Sequence, residues 1–237
     1  MAGHSHWKNI KRKKAVTDAR RGKEWSKIAR VIIVAAQHGG NPNDNFSLRL
    51  AMEKARAVNM PRDTIEKAVK KGTGELGKTH YEEVNYEGYG PGGVAIMVES
   101  LTDNRNRTAG EIRMLFDKHG GRVGAANSVG WMFAKRGIIA VEKSKVSEDK
   151  LMELALDAGA DDVQSSDEGF AVSTGVAVFE KVKKALQDAK IELAAAELTM
   201  VPSQTIALSA EHADSLQKIV ESLEDHDDVQ NVYTNVE

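Results

Sequence analysis

The first third of the chain carries apolar residues at helical spacing. From Trp25 onward they recur every three or four positions as far as a Gly-Gly pair, which predicts an amphipathic helix with a glycine stop. A second helix is predicted after the turn GGNPNDN. A third is predicted in MPRDTIEKAVKKG, where Asp63 and Glu66 have the spacing of a capping box. Residues 1–78 are therefore predicted to form a three-helix domain.

The period changes after the glycine-rich stretch GTGELGK. YEEVNYEGYG and GVAIMVESLTD are typical of strands on either side of the turn GYGPGG, followed by a helix in NRTAGEIRMLFDKHGG and a strand in VGWMFAK. The next six segments are predicted as strand, helix, strand, strand, helix and strand: GIIAVE, SEDKLMELALDAG, DDVQSS, GFAVST, VFEKVKKALQDAK and AAELTMVP. That order is the ferredoxin-like split unit. The tail adds a strand, a helix and a last strand.

The first mixed module lacks a second helix and a closing strand, and the tail supplies both. We therefore predict an α+β fold in which an N-terminal three-helix domain precedes two mixed α/β (ferredoxin-like) domains, one inserted in the other. The predicted domains are a basic helical nucleic-acid-binding domain at 1–78, a discontinuous α+β domain at 79–136 plus 205–237, and an inserted ferredoxin-like α+β domain at 137–204.

Charge changes this picture most. The net charge is only −2, but residues 1–78 hold 18 Lys and Arg against 7 Asp and Glu, a net of +11, and the remainder holds 15 against 28, a net of −13. Such asymmetry indicates a basic nucleic-acid-binding segment beside acidic modules. Ten of the first thirty residues are Lys or Arg, more than solubility requires.

We call residues 5–25 the basic arc. Its cations, and those that follow on the first helix, are suited to neutralising phosphates and releasing counterions. The predicted nucleic-acid-binding residues are His4, His6, Trp7, Lys8, Lys11, Arg12, Lys13, Lys14, Arg20, Arg21, Lys23, Lys27 and Arg30.

The two tryptophans of the basic arc have different surroundings. Trp7 has no apolar partners at periodic spacing, so it either stacks on an unpaired base or folds back onto the helical domain. Trp25 heads the apolar stripe of the first helix and is predicted to belong to the core.

Two polar loops are further candidates. TDNRNRT places Arg105 and Arg107 before a helix, whose N-terminus can hold an anion, so these two are second-tier nucleic-acid-binding residues; the alternative is a helix cap with solvated arginines. GYGPGG lacks the Lys-Ser/Thr of a phosphate-binding loop and is predicted to be a hairpin turn.

Other classes of function find no support in the residues. The seven histidines show no ligand spacing, and no catalytic set is visible, so we expect no enzyme activity, no metal and no cofactor. The chain has no cysteine, no run of eighteen apolar residues and no secretory signal pattern. We expect a cytoplasmic protein with no membrane partner, and the oligomeric state stays open.

Long motifs resemble the YebC/PmpR family: MAGHSHWKNIKRKKAVTDARRGK, NPNDN, NMPRDTIEKAVKKGTGE, YEGYGPGGVAIMVESLTDNRNRT and GGRVGAANSVGWMF. The resemblance covers essentially the full length and implies a helical N-terminal domain with two mixed domains. It also implies functional positions in the basic arc, HSHW and TDNRNRT. Bacterial members are commonly described as DNA-binding transcriptional regulators, whereas others act on translation at the ribosome, including elongation through proline runs.

We therefore hypothesise that the protein is a non-enzymatic, nucleic-acid-binding regulator of gene expression. The usual description of the family favours a DNA-binding transcriptional regulator. The alternative is a ribosome-associated, RNA-binding translation factor. PRDTIEKAVKKG could be the second helix of a helix-turn-helix pair, but it offers no Asn or Gln for adenine. A Lys- and Arg-rich arm with an unpartnered Trp suits ribosomal RNA at least as well. A protein-binding adaptor would leave the basic arc unexplained.

Overall fold

The computed structural model describes residues 18–77 and 80–236, with side chains from Gly22 onward. The described residues fall into two compact units. The first unit contains residues 18–128 and 209–232, and the second contains 129–208 and 233–236. None of the described helices is both long and apolar enough to span a membrane.

Seven helices and eight strands follow one another along the described residues. The helices are α1 (Asp18–Ala36), α2 (Phe46–Ala57), α3 (Arg62–Gly72), α4 (Arg105–Lys118), α5 (Glu148–Ala158), α6 (Phe179–Asp188) and α7 (Ala210–Glu224). The strands are β1 (Glu82–Tyr89), β2 (Ala95–Thr102), β3 (Arg122–Val123), β4 (Phe133–Val141), β5 (Asp162–Ser166), β6 (Gly169–Thr174), β7 (Ala195–Pro202) and β8 (Val229–Thr234).

Helices α1 to α3 pack around one apolar core. Ile32 and Leu48 are fully buried in it, and Trp25 packs against its edge. The Trp25 Nε1–H donates to the carbonyl of Val58 at 3.2 Å, so the prediction of a core role for Trp25 is confirmed. Asn45 fixes the connection between α1 and α2: its side-chain oxygen accepts from the Leu48 amide at 3.0 Å, and its amide donates to the carbonyl of Ala35 at 2.7 Å.

Gly72 does more than end α3. A Cβ at this position would collide with the carbonyl of Ile33 and the side chain of Ala36, so the glycine lets α3 approach the backbone of α1. The sequence pattern predicted the end of the helix but not this close packing.

The first sheet has the strand order β3-β1-β2-β8. Strands β1 and β2 form an antiparallel hairpin across Pro91–Gly93, where Gly92 and Gly93 have φ of 72° and 78° and the Gly90 amide donates to the Val94 carbonyl at 2.8 Å. The prediction that GYGPGG is a hairpin turn is therefore confirmed. Ile96 on β2 is fully buried, as are Phe116 on α4 and Ile219 on α7.

The second sheet has the order β5-β6-β4-β7, and β4 pairs antiparallel with both β6 and β7. With α5 after β4 and α6 after β6, this is the ferredoxin-like arrangement. Its core contains Ile139, Leu151, Phe179 and Leu186, all fully buried. The predicted α+β fold class, three helices followed by two mixed modules, is confirmed.

One prediction about the strands is wrong. VGWMFAK and GIIAVE were expected to be separate strands, but a single turn of 3-10 helix at Gly130–Met132 leads into the continuous strand β4. Gly137 does not break this strand, since it pairs with Thr174 on β6 and Leu198 on β7. A Cβ at this position would collide with Phe179, so the glycine is a packing site inside the strand. The boundary proposed between residues 136 and 137 therefore falls inside β4.

The strand expected at the start of the tail is also absent among the described residues. Ile206 forms only an isolated bridge to Val236. Strand β3, two residues long, was not predicted, because two residues carry no periodic signal. The division of the chain into three domains stays a prediction.

Candidate nucleic-acid interface

Most of the basic arc, and His4 just before it, lie outside the described residues. The assignment of His4, His6, Trp7, Lys8, Lys11, Arg12, Lys13 and Lys14 as nucleic-acid-binding residues therefore stays a prediction. Arg20 and Arg21 belong to helix α1, but their side chains are not described. The described geometry therefore concerns Lys23, Lys27, Arg30, Arg105 and Arg107.

Lys23, Lys27 and Arg30 share one face of α1 because they are four and three residues apart. This face meets residues 224–228, Glu-Asp-His-Asp-Asp, which we call the acidic segment. Lys23 Nζ lies 3.0 Å from Asp225 Oδ2. Lys27 Nζ donates to the carbonyl of Glu224, and Arg30 donates to the carbonyl of Asp227.

These contacts affect the pKa of Lys27 and the solvent exposure of the three cations. Burial lowers the pKa of Lys27, and the nearby carboxylates of Glu224 and Asp225 oppose the shift without cancelling it. The Lys23 side chain remains 49% exposed, whereas that of Arg30 is 20% exposed. The side-chain nitrogens of Lys27 and Arg30 therefore bind groups inside the first unit.

Asp228 is the centre of this cluster. Its side chain is only 4% exposed and accepts from Arg30 Nη1 at 2.9 Å and Arg107 Nη2 at 2.8 Å. The hydroxyls of Thr108 and Thr102 lie 2.7 and 3.2 Å from Asp228 Oδ2. Burial by itself would raise the pKa of Asp228, but the hydrogen bonds from Thr108 and Arg107 and the charge of Arg30 outweigh it and hold the pKa below its ordinary value.

The two arginines of TDNRNRT, Arg105 and Arg107, have different surroundings. Asn104 caps α4, since its side-chain oxygen accepts from the Arg107 amide at 3.1 Å. The Arg107 guanidinium binds Asp103 at 3.0 Å as well as Asp228. Arg105 is exposed, and its side chain forms no ion pair with any described residue, so of the two it is the one available to a ligand.

A cleft of about 540 Å³ opens beside the Asp228 cluster. Five carboxylates line it against three cations, and the imidazole of His226 binds Glu111 at 2.8 Å. Its lining residues are Lys23, Arg30, Asp103, Arg107, Glu111, Met114, Leu115, Asp225, His226, Asp227 and Asp228. This excess of negative charge disfavours a phosphate inside the cleft. Within the described ranges, no three His, Asp or Glu side chains converge to hold a metal ion.

Sequence reasoning missed the acidic segment. Its run of carboxylates, EDHDD, was visible, but nothing in the local pattern joins it to α1, 202 residues away in the pair Lys23–Asp225.

Two family models match the chain. One, described as the TACO1/YebC protein N-terminal domain, matches residues 5–75, and the other, described as the TACO1/YebC second and third domain, matches residues 81–236. This chain belongs to the TACO1/YebC family.

Relatives agree with the family assignment over the whole length. A protein of Thermoanaerobacter pseudethanolicus named "Probable transcriptional regulatory protein" is 54% identical, over all of this chain and 97% of its own length. Proteins of the same name from Pelotomaculum thermopropionicum and Clostridium tetani are 50% and 52% identical, over all of this chain and 99% and 97% of theirs. The crystal structure of a conserved hypothetical protein from Aquifex aeolicus has a TM-score of 0.84 and 45% identity, covering 94% of this chain and 93% of that chain.

The two TACO1/YebC models together cover the cations of α1 and the acidic segment that binds them. The N-terminal model covers the basic arc and helices α1 to α3, and the second model covers TDNRNRT and the acidic segment. The cluster around Asp228 thus joins residues matched by two different TACO1/YebC models, both inside the first compact unit.

Proposed function

We propose that this protein is a non-enzymatic, nucleic-acid-binding regulator of gene expression, with the basic arc as its main contact to phosphates. The observation that carries the proposal is the concentration of charge: ten Lys and Arg against two Asp and Glu in the first thirty residues of a chain whose net charge is −2. A polyanion gains affinity from such a segment by releasing its counterions. The names of the relatives, as regulatory proteins, support the same class of function.

The finer proposal is a DNA-binding transcriptional regulator that acts in the cytoplasm. It is supported by the names of the relatives, which refer to transcription. In this role the basic arc and Arg105 would contact the duplex backbone, because cations that face phosphates position a protein on DNA without reading its sequence.

The alternative is a ribosome-associated, RNA-binding translation factor. One observation favours it: the outward residues of α3 are Lys, Arg, Asp and Glu, without the Asn or Gln that pairs with adenine in the major groove. Such a helix binds phosphates of any sequence, which suits structured RNA.

Co-sedimentation with ribosomes on a sucrose gradient separates these roles. Cell extract is run untreated, treated with RNase and treated with DNase. Travel with a ribosomal peak that RNase dissolves and DNase does not would support the translation role. A protein that stays at the top of the gradient and binds promoter DNA over excess competitor at physiological salt would support the transcription role. Failure to bind any nucleic acid even at low salt would contradict the whole proposal.

A further inference from the structure

The described part of the helical domain holds two sets of cations with different surroundings. The α1 set, Lys23, Lys27 and Arg30, faces the acidic segment. The second set lies on α3. We propose that Lys67, Lys70 and Lys71, the α3 lysine face, form a second phosphate-binding surface for the backbone of nucleic acid. This inference rests on the proposed function and adds a site to it.

Helix geometry turns the α3 lysine face toward solvent. Ile65 and Ala68 are buried on the core side of α3. Lys67, Lys70 and Lys71 are related by three and four residues, so their side chains emerge beside one another. Lys67 and Lys70 are exposed, and Lys71 is half-buried.

The three ammonium groups are available to a ligand. None of them forms an ion pair or a side-chain hydrogen bond with another residue in the described ranges. Two of the nearby acids have other partners: Glu66 Oε1 accepts from Arg62 Nε at 2.8 Å, and Glu75 Oε1 accepts from the Thr73 hydroxyl at 2.9 Å. Asp63, four residues before Lys67, forms no ion pair with it. The three ammonium groups, two exposed and one half-buried, are thus without an ion-pair partner among the described residues, in contrast to Arg30, which pairs with Asp228.

The spacing of the α3 lysine face matches a polyanion. Lys67 and Lys71 are four residues apart, which is about 6 Å along the helix axis. Duplex DNA carries one negative charge per about 1.7 Å of its axis, so a span of this length presents about three charges. Lysine binds phosphate as a point charge, and α3 offers no amide side chain for base edges. The ligand chemistry is therefore a phosphate backbone, of RNA or of duplex DNA.

A structural role is the competing explanation. Lys70 and Lys71 lie in the last turn of α3, where a positive charge stabilises the helix dipole. Lys67 lies before that turn, where the helix dipole has little effect, so stabilisation of the dipole does not account for a lysine at this position. The two explanations predict different measurements, since a dipole effect changes thermal stability and a phosphate contact changes the salt dependence of binding.

The test is a triple variant, Lys67→Gln with Lys70→Gln and Lys71→Gln, in the full chain. Affinity for a fluorescent single-stranded RNA and for a duplex DNA is measured by anisotropy between 50 and 200 mM salt. We expect the slope of log K against log salt to become shallower by about one for each lysine that contacts a phosphate, so by two to three in all. The nucleic acid with the larger change identifies the source of the phosphates.

The matched control removes the same charge elsewhere. Lys150, Lys181 and Lys218 are exposed and form no ion pair with a described residue, so their triple change to Gln alters net charge equally. We expect this control to keep the wild-type slope. Equal changes in both triples would overturn the inference, because they would report net charge alone.

The remaining outcomes separate the inference from the proposed function. If the wild type binds and the α3 triple variant keeps the wild-type slope of log K against log salt, the inference is overturned and the proposed function stands. A lowered Tm of that variant would then show that the lysines stabilise the helix dipole. Failure of the wild type to bind overturns the proposed function and the inference with it. If the triple fails to fold by circular dichroism, the single variant Lys67→Gln decides, with an expected change in slope of about one.

Discussion

At the scale of single residues, Asp228 has the most consequential environment. It is a nearly buried carboxylate that receives two guanidinium groups and two hydroxyls. A buried charge is tolerated when its hydrogen bonds are all made, and removing it leaves its partners unsatisfied. Asp228 therefore holds the basic helix α1 and the start of α4 against the same point of the first unit.

We expect Asp228→Asn to lower the free energy of unfolding by about 1–3 kcal/mol, because an amide cannot neutralise Arg30 and Arg107 and places a donor beside them. Urea denaturation of the full chain at pH 7 measures the change. Asp227→Asn is the control, since Asp227 is exposed and contributes its backbone carbonyl to Arg30; it should stay within about 0.5 kcal/mol of wild type. Equal effects at both positions would contradict the role of Asp228.

The stability contributed by Asp228 should depend on pH in a definite direction. Its folded-state pKa lies below the ordinary value, so the folded protein binds the proton less readily than the unfolded chain does. The contribution is fully present above the unfolded-state pKa of about 4 and is lost as the pH falls through the folded-state pKa. The difference in unfolding free energy between wild type and Asp228→Asn should therefore be constant from pH 7 to about 5 and shrink below pH 4, as urea titrations at each pH would show. A difference that grows toward low pH would contradict this assignment.

At the scale of elements, glycines show which helix contacts are tight. Gly72, at the end of α3, leaves no room for a Cβ against α1, whereas a Cβ on Gly110, inside α4, would meet no atom within 4 Å. The same residue type thus has a packing role in one helix and none in the other. Ile65 and Ala68, buried on the other side of α3, leave its lysine face outward.

Two substitutions with the same chemistry should have opposite effects on stability. Gly72→Ala should lower Tm, because its methyl group displaces α3 from the carbonyl of Ile33. Gly110→Ala should raise the free energy of unfolding by about 0.5–1 kcal/mol, since alanine favours an exposed helix interior. Thermal and urea unfolding measure both, and a Gly72→Ala protein as stable as wild type would show that α1 and α3 do not pack closely.

At the scale of the whole molecule, charge is separated along the chain, with +11 in residues 1–78 and −13 in the rest. Part of this separation is cancelled inside the first unit, where the acidic segment binds the cations of α1. The proposed nucleic-acid contacts are the cations without such partners among the described residues, together with the part of the basic arc that precedes Lys23.

Reversing four charges of the basic arc tests this view. We expect Lys11, Arg12, Lys13 and Lys14, all changed to Glu, to lose nucleic-acid binding at 100 mM salt, because the arc then repels phosphates. Anisotropy with RNA and with duplex DNA measures the loss, and circular dichroism checks the fold. The same reversal at Lys150, Lys181, Lys184 and Lys218 is the control. A variant of the arc that binds like wild type, with a native spectrum, would show that the arc is not the contact surface.

Local sequence patterns were enough to predict most helices, strands and turns, and the count of charges gave their separation along the chain. Helical spacing around Ile28 and Ile65, strand patterns around Ile96 and Val172, and the glycine turn at Gly92 depend on near neighbours, so a local pattern carries them. The order of strands and helices also led correctly to the ferredoxin-like second module, because short connections restrict which strands can pair.

Which charges are neutralised, and which glycines are packing sites, depends on the tertiary structure. Lys27 and Arg105 both belong to basic stretches, yet Lys27 is half-buried against the acidic segment and Arg105 faces solvent. Gly137 resembles a strand end in the sequence, yet it lies inside β4, paired with β6 and β7, and Phe179, 42 positions away, occupies the space that a side chain would need. These outcomes depend on atoms that are distant in the chain and close in space, and no local periodicity records such contacts.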